Sequence, residues 1–290
     1  FIERFEESLA KEFDRKYVSL VSNGSAALEV AIKALGIDKG DEVIMPSHTI
    51  ISCAAAVTKV GAIPVLIESE TESWNMNVDL IEENISDKTK AIMVVHTYGF
   101  PVRMDKVEEI AKKYNLFIVE DAAEVIGQDY MGRKCGSMGD ISIMSFYPNK
   151  HITSGEGGAI LTNSQELIDK CKYYKNLCFK DPRFVHDNIG WNYRMSNLQA
   201  ALGLAQLEKL DKHVKKKRYI GNLYNQLLEE KNNFKLQPVK LDYSKNIFWV
   251  FGILLNKNKE LKAAEVMEIL KDKNIGSRPF FYPIHLQPVY

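Results

Sequence analysis

Lys150 stands in the stretch SFYPNKHITSGEGGAI, between an apolar run that ends at Ser145 and a glycine-rich turn that feeds a second apolar run. An amine partly withdrawn from water at a strand mouth has a lowered pKa and is nucleophilic toward a carbonyl. That makes Lys150 a candidate for a Schiff-base lysine. Three more places carry reactive residue types. In Ser22-Asn23-Gly24-Ser25-Ala26-Ala27-Leu28 an apolar run turns through glycine into a helical pattern. The free N–H groups of a helix start, with the Ser25 hydroxyl, suit an anion such as a phosphate. In Val119-Glu120-Asp121-Ala122-Ala123-Glu124 the carboxylate of Asp121 closes an apolar run, where it can keep a ring nitrogen protonated. Finally, Ile189-Gly190-Trp191-Asn192-Tyr193-Arg194-Met195-Ser196-Asn197 mixes aromatics, amides and one arginine ahead of a long helix, the make-up of a subunit contact or of a substrate contact.

Each of these has a plain alternative: a serine-capped helix, an aspartate-capped turn, a loop lysine in solvent. Their order along one set of strands is harder to explain away. A phosphate cup, then a strand-end Asp121, then Ser145 with Lys150 shortly after it, provide handles for the phosphate, the ring nitrogen and the aldehyde of pyridoxal phosphate (PLP).

The elements that must position these groups follow from periodicity. Tyr17–Ser22, Glu42–Pro46, Pro64–Glu68, Ala91–His96, Leu116–Asp121, Ile141–Phe146 and Gly158–Thr162 read as seven strands, most of them unbroken Val/Ile/Leu/Met runs suited to burial on both faces. Helical patterns at Ala26–Leu35, Met104–Tyr114 and Gln165–Lys175 alternate with them, so an α/β fold with a mostly parallel sheet between helices is expected. The strands flanking Lys150 have no helix-length segment between them, which predicts a mixed sheet. From Ser196, a capping residue, one or two long helices reach about Glu230. A strand at Phe248–Leu255, a helix at Ala263–Lys271 and an extended Pro/aromatic segment at Arg278–Tyr290 then make a smaller α+β unit. The expected division is 1–195 for the large domain and 196–290 for the connecting helix and a partial small domain.

The 290 residues suffice for one large or two modest domains, and 46% hydrophobic with 26% charged residues is ordinary for a globular chain. With 38 basic and 38 acidic residues, net charge zero argues against a nucleic-acid or anionic-membrane surface. The run Lys215-Lys216-Lys217-Arg218 is expected on a solvated helix face. Cys53, Cys135, Cys171 and Cys178 have no zinc-type spacing, so no metal is expected and free thiols in a reducing compartment fit them. No signal peptide or spanning run is evident, and a cytoplasmic location is the default expectation. The chain starts at a phenylalanine inside an apparent helix and stops just after a proline-rich stretch, as in a protein clipped at both ends.

The stretches SNGSAAL, GDEVIMPSHTI, TKAIMVVHTYGFP, VEDAAEVIGQDYMGRKCGSMGDIS, SFYPNKHITSGEGG and IGWNYRMSNLQAALGLAQLE together resemble the sugar aminotransferases of the DegT/DnrJ/EryC1/StrS family, over nearly the whole chain. The resemblance implies the fold type I architecture of PLP-dependent aminotransferases. It implies Lys150 as Schiff-base lysine, Asp121 on the pyridine nitrogen and Glu124 near the ring hydroxyl. It places Gly24, Ser25, Ala26 and Ser145 in the phosphate cup, and Asn192 at the cofactor phosphate of a neighbouring subunit, hence a homodimer with shared active sites. His285, Arg194 and His186 match positions near the substrate, and RPFFYPIH the segment that helps to hold a sugar nucleotide. At Ile50 the family usually has an aromatic residue stacked on the ring; isoleucine can cover that face without the stacking preference of an aromatic pair. Some relatives carry histidine in place of the lysine and are dehydratases, so Lys150 implies amino transfer. The implied reaction takes the amino group of L-glutamate to a nucleotide-linked 4-keto-6-deoxy sugar, with GDP-4-keto-6-deoxymannose expected first. A UDP- or dTDP-linked 4-keto sugar, or a 3-keto sugar, is the alternative. A non-catalytic regulator that keeps the fold, or a PLP enzyme acting on amino acids alone, are the other readings.

Overall fold

A computed structural model describes residues 1–229, 234–256 and 261–290. In chain order the helices are α1 (Ile2–Glu12), α2 (Gly24–Ala34), α3 (Ile51–Lys59), α4 (Met104–Tyr114), α5 (Gln165–Lys175), α6 (Asn197–Leu207), α7 (Leu210–Leu228) and α8 (Ala263–Asp272). The principal strands are β1 (Tyr17–Val21), β2 (Glu42–Pro46), β3 (Ile63–Ile67), β4 (Thr89–Val95), β5 (Phe117–Asp121), β6 (Ile141–Ser145) and β7 (Gly158–Thr162), followed by the short β8 (Phe234–Leu236) and β9 (Ile253–Leu255).

The first seven strands form one sheet in the order β1-β7-β6-β5-β4-β2-β3. Neighbours are parallel except around β7, which runs antiparallel to both β1 and β6. This is the mixed sheet expected from the short connection around Lys150. Side chains alternate across each strand. Along β4, Ala91, Met93 and Val95 face the core shared with α2 and α3, whereas Ile92 and Val94 face the core shared with α4. A third cluster packs Phe5 and Leu9 of α1 and Leu204 and Val214 of α6 and α7 against Leu20, Met144 and Leu161. Helices thus cover both faces, which is why these strands are apolar without interruption. The four cysteines are buried and unbridged.

Two long helices follow Ser196 as expected. Its hydroxyl and the Gln199 side chain form a reciprocal cap at the start of α6. Glu230, the expected helix end, lies outside the described residues. Three expectations need correction. The strand expected at Phe248–Leu255 is confined to Ile253–Leu255. Phe248 has a left-handed backbone (φ 52°), and Trp249 turns into an aromatic cluster, its Nε1 donating to Asn149 O at 2.9 Å. Helix α3 has no counterpart in the segments read from periodicity. The basic run on α7 is not wholly solvated. Lys215 and Lys216 are exposed, but Lys217 donates to Trp249 O (2.9 Å) and Arg218 to Gln128 Oε1 (2.8 Å). No helix among the described residues is long and apolar enough to cross a membrane.

Because β1 to β6 share one direction, their carboxyl ends meet along one edge, where ligands bind in open α/β sheets.

Candidate active site

A cavity of about 950 Å³ lies over that edge, with Gly24, Ser25, Asp121, Glu124, Ser145 and Lys150 in its wall. One end is built where β1 turns into α2. Asn23 caps the helix, its Oδ1 accepting from Ala26 N at 2.8 Å. The first-turn N–H groups of Gly24 and Ser25 have no acceptor within the helix, and the helix dipole adds positive potential there. Three hydroxyls join them, Ser25, Ser52 and Ser145, with Ser25 Oγ 2.8 Å from Ser52 Oγ. A Cβ on Gly24 would lie 2.8 Å from Ser145 Cβ, so only glycine lets the end of β6 close on the start of α2. The result is a compact cluster of donors without a charged side chain, suited to a phosphate.

The middle of the cavity holds the acids and the amine. Asp121 ends β5 and is buried; its Oδ1 accepts from Ala123 N (3.0 Å) and its Oδ2 from the Cys53 thiol (3.4 Å). Burial raises its pKa, against the Ala123 N–H and the positive charge of Lys150. Glu124 accepts from Tyr98 N at 2.8 Å and lies 3.5 Å from Lys150 Nζ. Burial pushes its pKa up to about 7, although Lys150 and the Tyr98 N–H oppose the shift. The Lys150 side chain is 10% exposed, and its ammonium lies 3.9 Å from the centre of the Trp249 ring.

The raised Glu124 pKa has a consequence for stability. Below pH ~4.5 the carboxyl is protonated in folded and unfolded chains alike. As pH rises toward about 7 the unfolded chain releases this proton first, so the folded state loses roughly 3 kcal/mol relative to it. Glu124→Gln is expected to remove this loss. Chemical denaturation of both proteins between pH 4.5 and 7 should show a flatter stability profile for the variant; equal slopes would contradict the shift.

Behind the cavity, Glu120 points to the opposite face of β5. It accepts from Gly136 N (2.6 Å), Met138 N (2.8 Å), Ser142 Oγ (2.7 Å) and His96 Nε2 (3.1 Å). Val102 N donates to His96 Nδ1, which fixes the proton on Nε2. Burial alone would raise the Glu120 pKa; hydrogen bonds and charge from His96 and its other partners hold it below the usual range. His96, Glu120 and Cys135 are near enough to surround an ion. The carboxylate is already satisfied by donors, and the trio reads as a brace for β5.

The structure brings together Gly24, Ser25, Ile50, Asp121, Glu124, Ser145 and Lys150. Ala26 stands apart: its N–H is spent on Asn23 and its side chain is buried outside the cavity wall. Asn192, Arg194, His186 and His285 are exposed and do not line this chain's cavity. Arg194 bonds Asn176, and His186 Nδ1 donates to Leu177 O. His151, next to Lys150, turns away: its ring is buried, and burial with nearby Lys217 lowers its pKa to about 3. Ser52, Cys53, Tyr98 and Trp249 join the site unannounced by sequence reading. The quoted stretches TKAIMVVHTYGFP and RPFFYPIH do contain Tyr98 and the segment 278–281 that closes the cavity's far side.

The family model for the DegT/DnrJ/EryC1/StrS aminotransferases matches residues 1–290. The chain belongs to the DegT/DnrJ/EryC1/StrS aminotransferase family. Members similar to it include a GDP-perosamine synthase of Escherichia coli O157:H7, 44% identical over 294 residues that cover 100% of this chain and 79% of that protein. The chain is also 32% identical over 297 residues, 100% of its length and 76% of the relative's, to the putative pyridoxal phosphate-dependent aminotransferase EpsN of Bacillus subtilis. Among solved structures, Streptomyces venezuelae DesV in complex with a ketimine intermediate superposes with a TM-score of 0.92 at 32% identity, covering 100% of this chain and 76% of that one. The family fold is therefore that of PLP-dependent aminotransferases, with the mixed seven-stranded sheet described above.

Proposed function

We propose that this family member moves an amino group from L-glutamate to the keto carbon of GDP-4-keto-6-deoxymannose, with PLP as its cofactor. The observation that carries this reading is the placement of Lys150 and Asp121 in one cavity wall beside the glycine–serine donor cluster. The residues fit PLP. Gly24, Ser25, Ser52 and Ser145 would hold the phosphate, Asp121 the ring nitrogen, Glu124 the ring hydroxyl and Lys150 the aldehyde carbon, while Ile50 would cover a face of the ring. When bound, PLP supplies an aldehyde that binds amines covalently and a pyridinium that draws electrons from the bond being broken.

The protein's own groups do the rest. Asp121, as a carboxylate, keeps the ring nitrogen protonated. Lys150, as a free amine, would take the proton from Cα of the donor and, as an acid, return it to the cofactor's carbon on the other side of the donor nitrogen. Glu124, with its pKa near neutrality, can take up or release a proton beside that amine as its charge changes. Trp249 and Tyr98 keep water from the amine side of the cavity. In the second half-reaction the same proton transfers run in reverse on the keto sugar.

The working unit is a homodimer in which Asn192 of one subunit reaches the cofactor phosphate of the other. Its exposure, and that of Ile189 (89%) and Leu198 (85%) nearby, support this. In the assembled dimer, Arg194, His186 and His285 contribute to the sugar nucleotide site. Residues 1–195 form the cofactor-binding domain and 196–290 the connecting helices and small domain; the enzyme works in the cytoplasm.

The test is an amination assay with L-glutamate against GDP-, UDP- and dTDP-linked 4-keto-6-deoxy sugars and 3-keto analogues, the product identified by mass and NMR. Turnover of the GDP-linked 4-keto sugar, giving a 4-amino sugar, is expected. Turnover of the UDP- or dTDP-linked sugars alone would overturn the nucleotide assignment. Amino transfer between amino and keto acids with no turnover of any sugar nucleotide would overturn the substrate class.

A further inference from the structure

The far side of the cavity is closed by an extended segment, residues 276–281, that belongs to no sheet or helix. An extended strap without a ladder needs another anchor. Among the described residues, the hydrogen bond that holds this segment is the one from Phe281 N to the phenolic oxygen of Tyr98, at 2.8 Å. The rings of Phe280 and Phe281 pack 5.0 and 5.1 Å from the Tyr98 ring.

Tyr98 is tied into the site at its other end. It follows β4 in a left-handed backbone (φ 56°), a conformation costly for a bulky side chain that persists where its surroundings fix it. Its N–H donates to Glu124, and its carbonyl accepts from Gln237 Nε2 at 3.2 Å. Its ring lies nearly parallel to Trp249 (15°, 6.1 Å), the ring that carries the Lys150 ammonium. The next residue, Gly99, is pressed against the backbone of Phe248 and Trp249, where a Cβ would meet Trp249 N at 2.6 Å. One buried residue therefore touches both the acid–amine pair and the strap. The strap in turn carries Arg278 into the cavity wall, a guanidinium with no acid partner among the described residues.

We propose that Tyr98 is a positioning residue for the acceptor substrate: its hydroxyl pins the strap 276–281, and with it Arg278, at the height that grips the sugar nucleotide. This rests on the function proposed above for the identity of the ligand, but not for the existence of the clamp. Tyr98→Phe removes one oxygen and keeps the ring stack, so the fold and the Glu124 contact, which uses the backbone, are retained. The half-buried Phe281 N–H then loses its protein acceptor, which weakens the clamped state.

The experiment compares Tyr98→Phe with the wild type in three measurements on the full chain loaded with PLP. Amide hydrogen exchange should quicken in residues 276–282. KM for GDP-4-keto-6-deoxymannose should rise about tenfold, while kcat falls by a factor of only about two, corresponding to one hydrogen bond of roughly 1.4 kcal/mol. Borohydride should still fix a pyridoxyl group on Lys150 in both proteins. Unchanged exchange in the strap overturns the clamp. A fall in kcat at constant KM, or loss of labelling in the variant alone, also overturns the proposal, because Tyr98 would then act on the chemistry or the cofactor. If the wild type itself takes no label or does not accept this sugar, the function above fails instead, and the exchange measurement still decides the clamp.

Discussion

Lys150→Ala is expected to lower kcat for amination by on the order of 10⁴-fold or more, the upper range for loss of a positioned acid–base group, compounded by loss of the covalent attachment. The reason is geometric. Lys150 is the amine in the cavity wall that also holds Asp121 and the donor cluster, and its neighbour His151 faces the opposite way, buried and neutral. His151 therefore does not replace it. Folding should survive the change, although it removes the partner of a buried carboxyl. Glu124 already has a pKa of about 7, so without Lys150 it binds a proton instead of remaining as an unpaired buried charge. The thermal midpoint below neutral pH should therefore move little. A small primary amine added to the assay should restore part of the rate, because it supplies the missing base. Retained full activity in the variant would overturn the assignment, as would collapse of the fold with no measurable cofactor binding at any pH.

Asp121→Asn is the second large effect. The amide keeps the volume and can still accept from Ala123 N, but it carries no charge to hold a ring nitrogen protonated. Loss of one preorganised charge partner at the reacting centre should reduce the rate of the L-glutamate half-reaction on the order of 10²–10³-fold. Lys150 should still be labelled, since the donor cluster around Gly24, Ser25, Ser52 and Ser145 is untouched. Single-turnover absorbance with L-glutamate reads the first quantity and peptide mapping the second. A half-reaction as fast as wild type would show that Asp121 serves some other end, such as fixing the turn at Ala123.

The sheet was legible because strands buried on both faces leave long apolar runs, and the seven read from sequence match the observed ones to within two residues at their ends. The antiparallel placement of β7 followed from the shortness of the link around Lys150. Where apolar residues serve something other than a ladder, the reading failed. Phe248, Trp249 and Phe251 look like strand residues, yet they are spent on aromatic packing beside the site, and pairing is left to Ile253–Leu255. Helix α3 was hidden because Ser47-His48-Thr49 ahead of it carries no periodic signal and the helix itself is short and alanine-rich.

The same distinction runs through the site. Asp121, Ser145 and Ser25 could be read because each stands where a strand ends or a helix begins, a local feature of the chain. Ser52, Tyr98 and Trp249 reach the cavity, and Cys53 reaches Asp121 behind it, through folding of segments far apart in sequence, so no spacing marks them. Ala26 belongs to the phosphate cup only by the family resemblance; in the structure its N–H goes to Asn23. The exposed positions of Asn192, Arg194, His186 and His285 are what a single chain shows of residues proposed to complete a site across a dimer.

The central claim is a covalent link between the cofactor's aldehyde carbon and the amine at position 150. Sodium borohydride reduction of the PLP-loaded protein, followed by proteolysis and peptide mass mapping, tests it directly. The account predicts a pyridoxyl group on the peptide that contains Lys150, lost in Lys150→Ala. A protein that binds PLP but carries the reduced group on another lysine, or on none, would contradict it.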